Sequence, residues 1–123
     1  YERYAEALRS GGQIDFTDAI LQATELCRAT HPVSYEYIIV DEFQDISVDR
    51  YNFLKALREG NPPAKLYCVG DDWQSIYRFS GSDMALFNNF AAFFGPTEIN
   101  KIETTYRFGE PLVGLSSNVI RLK

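Results

Sequence analysis

The sequence predicts an α/β chain built on a small parallel sheet. Two runs of unbroken apolar residues, Tyr37-Ile38-Ile39-Val40 and Leu66-Tyr67-Cys68-Val69, are separated by a helical repeat and flanked by others. Continuous rather than alternating hydrophobicity suits strands covered on both faces, and strand–helix–strand order joins such strands in parallel. Each run passes directly into acid, Asp41-Glu42 after the first and Gly70-Asp71-Asp72 after the second. Open α/β sheets bind ligands beyond the carboxyl ends of their strands, so both strand ends are candidate functional positions.

The elements follow in order. Tyr4, Ala7 and Leu8 have helical spacing, and Gly11-Gly12 stops that helix. Asp15 can cap a second helix, in which Phe16, Ala19, Ile20, Ala23 and Cys27 form one apolar face before His31-Pro32 ends it. His31 reads as a loop residue and not a ligand. Ser47 can cap a helix carrying Val48, Tyr51, Leu54 and Leu57 on one side, and Gly60-Asn61-Pro62-Pro63 forms the turn into the second strand. The stretch from Trp73 to Asp83 is not periodic. A helix over Met84 to Phe94 then places Leu86, Phe87, Phe90 and Phe93 inward, closed by Gly95-Pro96. Glu98 to Thr105 is a candidate short strand. Pro111 suits the first turn of a last helix with Leu112, Leu115, Val119 and Leu122 as its apolar positions. There are no repeats or low-complexity segments.

Composition bounds the function. The 123 residues are 46% hydrophobic and 24% charged, ordinary values for a globular protein that argue against disorder. No apolar run approaches the ~20 residues of a membrane helix, so no membrane partner is expected, and no signal-peptide pattern stands ahead of the first helix. The net charge of −5 excludes binding to DNA by bulk charge. Either the piece binds no nucleic acid, or it does so through a local patch while the rest of a larger protein supplies positive charge. Cys27 and Cys68 lie inside apolar patterns and read as small buried hydrophobes of a reducing cytoplasm, which makes a cytoplasmic location the expectation. The first residue is Tyr1 and the sole methionine Met84, so the chain is expected to be an internal piece of a longer polypeptide.

Asp41 and Glu42 carry the first chemical signal. A carboxylate at the end of a buried strand suits magnesium, which prefers oxygen ligands and keeps several waters. A second carboxylate beside it can orient and deprotonate an attacking water. The bland reading is a pair of solvated acids at a strand end. Gln44 and Asp45 read either as part of the chemistry or as strand-end caps whose hydrogen bonds only shape the loop.

The longer strings are more specific. Val40-Asp41-Glu42-Phe43-Gln44-Asp45 is followed by Val69-Gly70-Asp71-Asp72-Trp73-Gln74-Ser75-Ile76-Tyr77-Arg78-Phe79-Ser80-Gly81-Ser82-Asp83, and then by Thr104-Thr105-Tyr106-Arg107-Phe108. In this order they resemble helicase motifs II, III and IV of UvrD/Rep-type superfamily 1 DNA helicases. Ile14-Asp15-Phe16-Thr17-Asp18 resembles a stretch found shortly before motif II in that family. The tryptophan at Trp73 and the Thr-Thr-Tyr-Arg-Phe string look like the helicase IV branch, and the resemblance spans nearly the whole chain.

The resemblance implies a partial RecA-like (P-loop NTPase) fold, a parallel sheet flanked by helices that lacks the phosphate-loop strand. Residues 1–100 would be the later part of a first RecA-like motor domain, and residues 101–123 the start of a second. It implies ATP and Mg2+ as cofactors, and single-stranded and duplex DNA as partners. Asp41 would hold the magnesium, Glu42 would be the catalytic base, Gln74 the γ-phosphate sensor and Arg107 an arginine finger. Tyr77, Arg78 and Phe79 would touch single-stranded DNA, Phe79 by stacking on a base. Phe79 as core, Arg107 as a surface cation, and Trp73 and Tyr106 as packing residues are the plainer alternatives.

Three departures bear on this. No Gly-x-x-x-x-Gly-Lys-[Ser/Thr] phosphate loop is present, since Gly11-Gly12-Gln13 is followed by no lysine, so the piece alone is expected not to hydrolyse ATP. Ser80 stands where many relatives carry arginine, and Thr105 where many carry asparagine. Two rival functions follow from the same residues. One is a binding module that grips DNA or a protein without hydrolysis, which a parent lacking an upstream Gly-Lys-Thr would favour. The other is a metal-dependent nuclease on Asp41, Glu42, Asp71 and Asp72, which magnesium-dependent DNA cleavage would reveal. Bare strand edges in the isolated piece also make a second copy of it an expected partner.

Overall fold

Four residues of extended chain cannot satisfy their own backbone groups, and in the computed structural model the two short strands satisfy each other's. The structure describes residues 2–30, 34–75 and 81–121. Strand β1 (Tyr37–Val40) pairs in parallel with β2 (Lys65–Cys68), Tyr37 opposite Lys65 and Val40 opposite Cys68. The pairing extends past both ends: Lys65 N–H donates to the Glu36 carbonyl, Val69 N–H to that of Val40, and Phe43 N–H to that of Val69, each at 2.9 Å. The result is an α/β chain in which a two-stranded parallel sheet is flanked by helices.

The helices begin and end where the side chains can cap them. Helix α1 (Glu2–Ser10) stops at Gly11-Gly12, and α2 (Phe16–Thr30) starts with the Asp15 carboxylate accepting from Asp18 N–H at 2.8 Å. Helix α3 (Val48–Glu59) makes the crossover between the strands, with the Ser47 hydroxyl accepting from Arg50 N–H at its first turn. Both satisfy amide donors that a helix start leaves unpaired. Helix α2 packs along α3 with Thr24 and Cys27 buried, and Thr24 keeps its hydroxyl satisfied on the Ile20 carbonyl at 2.7 Å. Phe16, expected on that apolar face, is 92% exposed because it opens the helix ahead of the buried stretch.

The expected helix over Met84 to Phe94 is two short ones, α4 (Met84–Asn88) and α5 (Phe90–Phe94). Asn89 breaks it: its side chain donates to the Ala85 carbonyl at 3.1 Å, a local bond that competes with regular helix. The break turns Phe94 rather than Phe93 into the core, while Phe93 lies 5.5 Å from the Tyr51 ring at a steep angle. Gly95 follows at φ 87, a left-handed backbone that glycine adopts without strain. Helix α6 (Glu110–Arg121) holds Pro111 in its first turn, and its Leu112, Leu115 and Val119 are exposed. Glu98 to Thr105 forms no strand, since among the described residues no neighbouring strand takes up its backbone bonds; Ile99 and Ile102 are exposed.

The core lies on one face of the sheet. Ile38, Phe43, Ile46, Leu54, Ala64, Leu86 and Phe94 form it, with Val40, Leu66 and Cys68 packed against it. The opposite face carries Tyr37, Ile39 and Tyr67, and Ile39 is 71% exposed. Strands covered on both faces were the expectation. In this chain α3, α4 and α5 cover one face, and among the described residues nothing covers the other. Cys27 and Cys68 are both free thiols, as their apolar settings suggested. His31, Pro32, Tyr77, Arg78, Phe79, Ser80 and Leu122 lie outside the described residues.

Candidate strand-end site

Parallel pairing brings the two carboxyl ends side by side, and the acids arrive there with it. Asp41 and Glu42 leave β1 directly. Asp41 is exposed, with Oδ1 accepting from Glu42 N–H at 2.9 Å. Glu42 has φ 51 and ψ 43, the only non-glycine residue with positive φ among the described residues. For a side-chain-bearing residue that conformation costs about 1–2 kcal/mol. Backbone strain of this kind persists where the surroundings over-determine it, and such positions cluster at functional sites.

The surroundings in question are easily named. Immediately after Glu42 the chain closes a 3-10 turn over Phe43–Asp45. Phe43 is buried and its ring meets those of Phe90, Phe94 and Phe87 at 5.3, 6.0 and 6.3 Å. Its N–H is held by Val69. With Phe43 anchored at both side chain and backbone, the sharp reversal falls on Glu42, and the Glu42 carboxylate stays exposed at the strand end.

Gln44 is the one polar residue of this turn that is fully buried, at 1% exposure. Its Nε2 donates to Glu42 Oε2 at 2.7 Å, and its Oε1 accepts from Asp71 N–H at 3.0 Å. The partners settle which way the amide points, since a carboxylate can only accept and a backbone N–H can only donate. Gly70 makes room for it. A Cβ there would stand 2.7 Å from Gln44 Oε1 and 2.8 Å from the Phe87 ring.

The second strand end is organised by Asp71. Its Oδ1 accepts from Trp73 N–H at 3.1 Å, capping a 3-10 turn over Asp72–Gln74, and its Oδ2 accepts from Gln74 Nε2 at 2.7 Å. A continuous chain of hydrogen bonds therefore runs from Glu42 through Gln44 to Asp71 and on to Gln74. Gln74 itself is exposed, as is Trp73. Asp45 faces inward with a buried Oδ1 that has no hydrogen-bond partner, while its carbonyl accepts from Arg50 Nη1 at 3.1 Å.

The structure thus brings Asp41, Glu42 and Gln74 to one end of the sheet. Arg107 is not joined to them: it is exposed at a bend ahead of α6, its N–H donating to Thr105 Oγ1 at 3.3 Å. Among the described residues no hydrogen bond or ion pair joins it to Asp41, Glu42 or Gln74. Gln44, Gly70 and Asp71 are site residues that sequence reasoning ranked too low. The signal for Gln44 was slight, an amide placed between two apolar residues, Phe43 and Ile46, in an otherwise polar turn.

For magnesium, Asp41 offers a hard, exposed carboxylate at a strand end, the kind of single protein ligand that suits this ion alongside phosphate oxygens and water. Among the described residues no three acidic, histidine or cysteine side chains group closely enough to enclose a metal. That arrangement fits a metal brought in with a phosphate ligand, and does not fit the four-carboxylate cage of the nuclease reading.

The fold is that of an α/β protein, and relatives define the family. Residues 1–95 match the UvrD/REP helicase N-terminal domain, and the chain belongs to that family. It is 41% identical over 116 residues to DNA helicase IV of Escherichia coli, covering 94% of this chain and 17% of that protein. It is 34% identical over 130 residues to DNA helicase II of Rickettsia typhi, covering 98% and 19%. It is 29% identical over 131 residues to the ATP-dependent DNA helicase UvrD1 of Mycobacterium tuberculosis, covering 98% and 17%. The chain therefore spans less than a fifth of the length of these relatives.

Proposed function

We propose that this chain is a section of an ATP-driven DNA helicase motor, and that it supplies the hydrolytic half of a nucleotide site. One observation carries the reading: two parallel strands end together in Asp41-Glu42 and Asp71–Gln74, and hydrogen bonds join the two ends. In this reading Val40–Asp45, Val69–Asp83 and Thr104–Phe108 are motifs II, III and IV. Residues 1–100 belong to a first RecA-like domain whose phosphate-loop strand lies elsewhere in the parent protein, and residues 101–123 open the second.

Magnesium-bound ATP supplies the scissile phosphoanhydride and the charge that polarises it. Asp41 holds the metal. Glu42 accepts the proton of the attacking water, a role that contributes roughly 10²- to 10⁴-fold. Gln74 senses the γ-phosphate, and a few residues on in the sequence Tyr77, Arg78 and Phe79 contact single-stranded DNA. Arg107 comes to the phosphate from the second domain. The lack, among the described residues, of a hydrogen bond or ion pair between Arg107 and Asp41, Glu42 or Gln74 accords with a site completed by domain closure. The parent acts in the cytoplasm on single-stranded and duplex DNA, and the isolated piece, lacking a phosphate loop, is inactive and self-associates through its bare strand edges.

The test is ATP hydrolysis by the parent protein with and without single-stranded DNA, together with strand separation on a tailed duplex. DNA-stimulated turnover and unwinding are expected. DNA or protein binding with no turnover would favour the binding-module reading, which the missing phosphate loop favours for the piece alone.

A further inference from the structure

We infer that Gln44 is a positioning residue, which holds the Glu42 carboxylate in place and ties it to the loop that carries Gln74. The inference rests on the reading of Glu42 as the base. A purely structural amide in a turn would bond to the backbone around it. Gln44 instead spends its donor on the one carboxylate whose orientation matters for chemistry, at 2.7 Å, and its acceptor on the neighbouring strand end, at 3.0 Å. The Gln44 end of both bonds is shielded, since Gln44 is 1% exposed, while the Glu42 carboxylate reaches solvent. A buried bond to a charged group is stronger and more directional than one in water.

The geometry makes Gln44 a two-ended strut. Its backbone cannot drift, because Phe43 on one side and Ile46 on the other are core residues. Its acceptor end is fixed to Asp71, whose carboxylate in turn holds Trp73 N–H and Gln74 Nε2. A shift of the Asp71–Gln74 turn therefore moves the Gln44 amide, and with it the Glu42 carboxylate. The fit leaves no slack, because Gly70 has no space for even a methyl group beside Gln44 Oε1. This is a physical link by which occupancy at Gln74 reaches the base without any contact between Gln74 and Glu42.

The experiment is a double-mutant cycle in the complete helicase, measuring kcat and KM for ATP under saturating single-stranded DNA. Gln44→Met keeps the buried volume and removes both hydrogen bonds. Misplacing a catalytic group by about 1 Å can lower the rate on the order of a hundredfold, so kcat should fall roughly tenfold to a hundredfold with KM little changed. In a Glu42→Gln background the same substitution should change the residual rate by less than about twofold, because residues acting as a unit are not additive. Gly70→Ala, which crowds the Gln44 amide from the other side, should reproduce this pattern and covers the case in which Gln44→Met fails to fold. Full additivity of either substitution with Glu42→Gln, or a loss confined to KM, would overturn the positioning role. A wild-type kcat in Glu42→Gln alone would overturn the base reading on which it stands.

Discussion

The N–H of Phe43 donates to the carbonyl of Val69 at 2.9 Å, just past the last paired positions, Val40 of β1 and Cys68 of β2. That bond fastens the two strand ends together beside the candidate site. It also makes Phe43 the pivot on which Glu42 turns into its left-handed conformation.

Phe43 is therefore expected to matter for stability as well as for geometry. It is 2% exposed and contacts three aromatic rings. Truncation to Phe43→Ala should cost about 3–5 kcal/mol by lost burial and cavity formation. Phe43→Leu should cost less. Thermal or denaturant unfolding of the variants measures both.

The cap on α3 should carry a smaller, separable effect. Ser47 accepts from Arg50 N–H at the first turn of the crossover helix. Ser47→Ala should destabilise by about 1 kcal/mol, and Ser47→Asp should restore most of that. Denaturant midpoints compared at constant slope decide it.

Cys68 gives the chain a stability term that depends on alkaline pH. Burial pushes its thiol from 9.0 up to about 12. The folded chain thus keeps a proton that the unfolded chain releases. The stabilisation is complete below the ordinary thiol value and disappears as pH climbs toward the raised one. The melting-temperature gap between wild type and Cys68→Ser should be wider at about pH 8 than at about pH 10.5. A gap that widens with pH would contradict the assignment.

Arg107 should behave as a group that acts only in the closed, assembled motor. In the parent helicase Arg107→Ala should lower kcat by roughly 10³-fold or more with little change in nucleotide affinity, and Arg107→Lys should not rescue it, because an ammonium cannot reproduce the planar fork. Steady-state hydrolysis alongside equilibrium nucleotide binding separates the two effects.

The two strands and their parallel order were legible in the sequence because unbroken apolar runs of four residues leave few other options. The positions of Asp41 and Glu42 followed from them. What the sequence hid were consequences of contacts made far along the chain. Asn88-Asn89 gave no periodic warning that the helix breaks, because the break depends on a side-chain bond to Ala85. Glu98 to Thr105 carries the β-branched residues Ile99, Ile102, Thr104 and Thr105, which suit a strand, yet a strand exists only with a partner. Gln44 looked like an optional cap because its two partners, Glu42 Oε2 and Asp71 N–H, come together only after β1 and β2 pair. The left-handed backbone at Glu42 was likewise invisible, since nothing local requires it.

The central claim is that Glu42 is the base of a DNA-stimulated ATPase. The most direct test compares ATP hydrolysis by the wild-type parent protein and its Glu42→Gln variant, each with and without single-stranded DNA, alongside ATP binding. The account predicts DNA stimulation of the wild type, and a variant that binds ATP normally but turns it over about 10²- to 10⁴-fold more slowly. Equal hydrolysis by the two proteins, or no response to DNA in either, would contradict it.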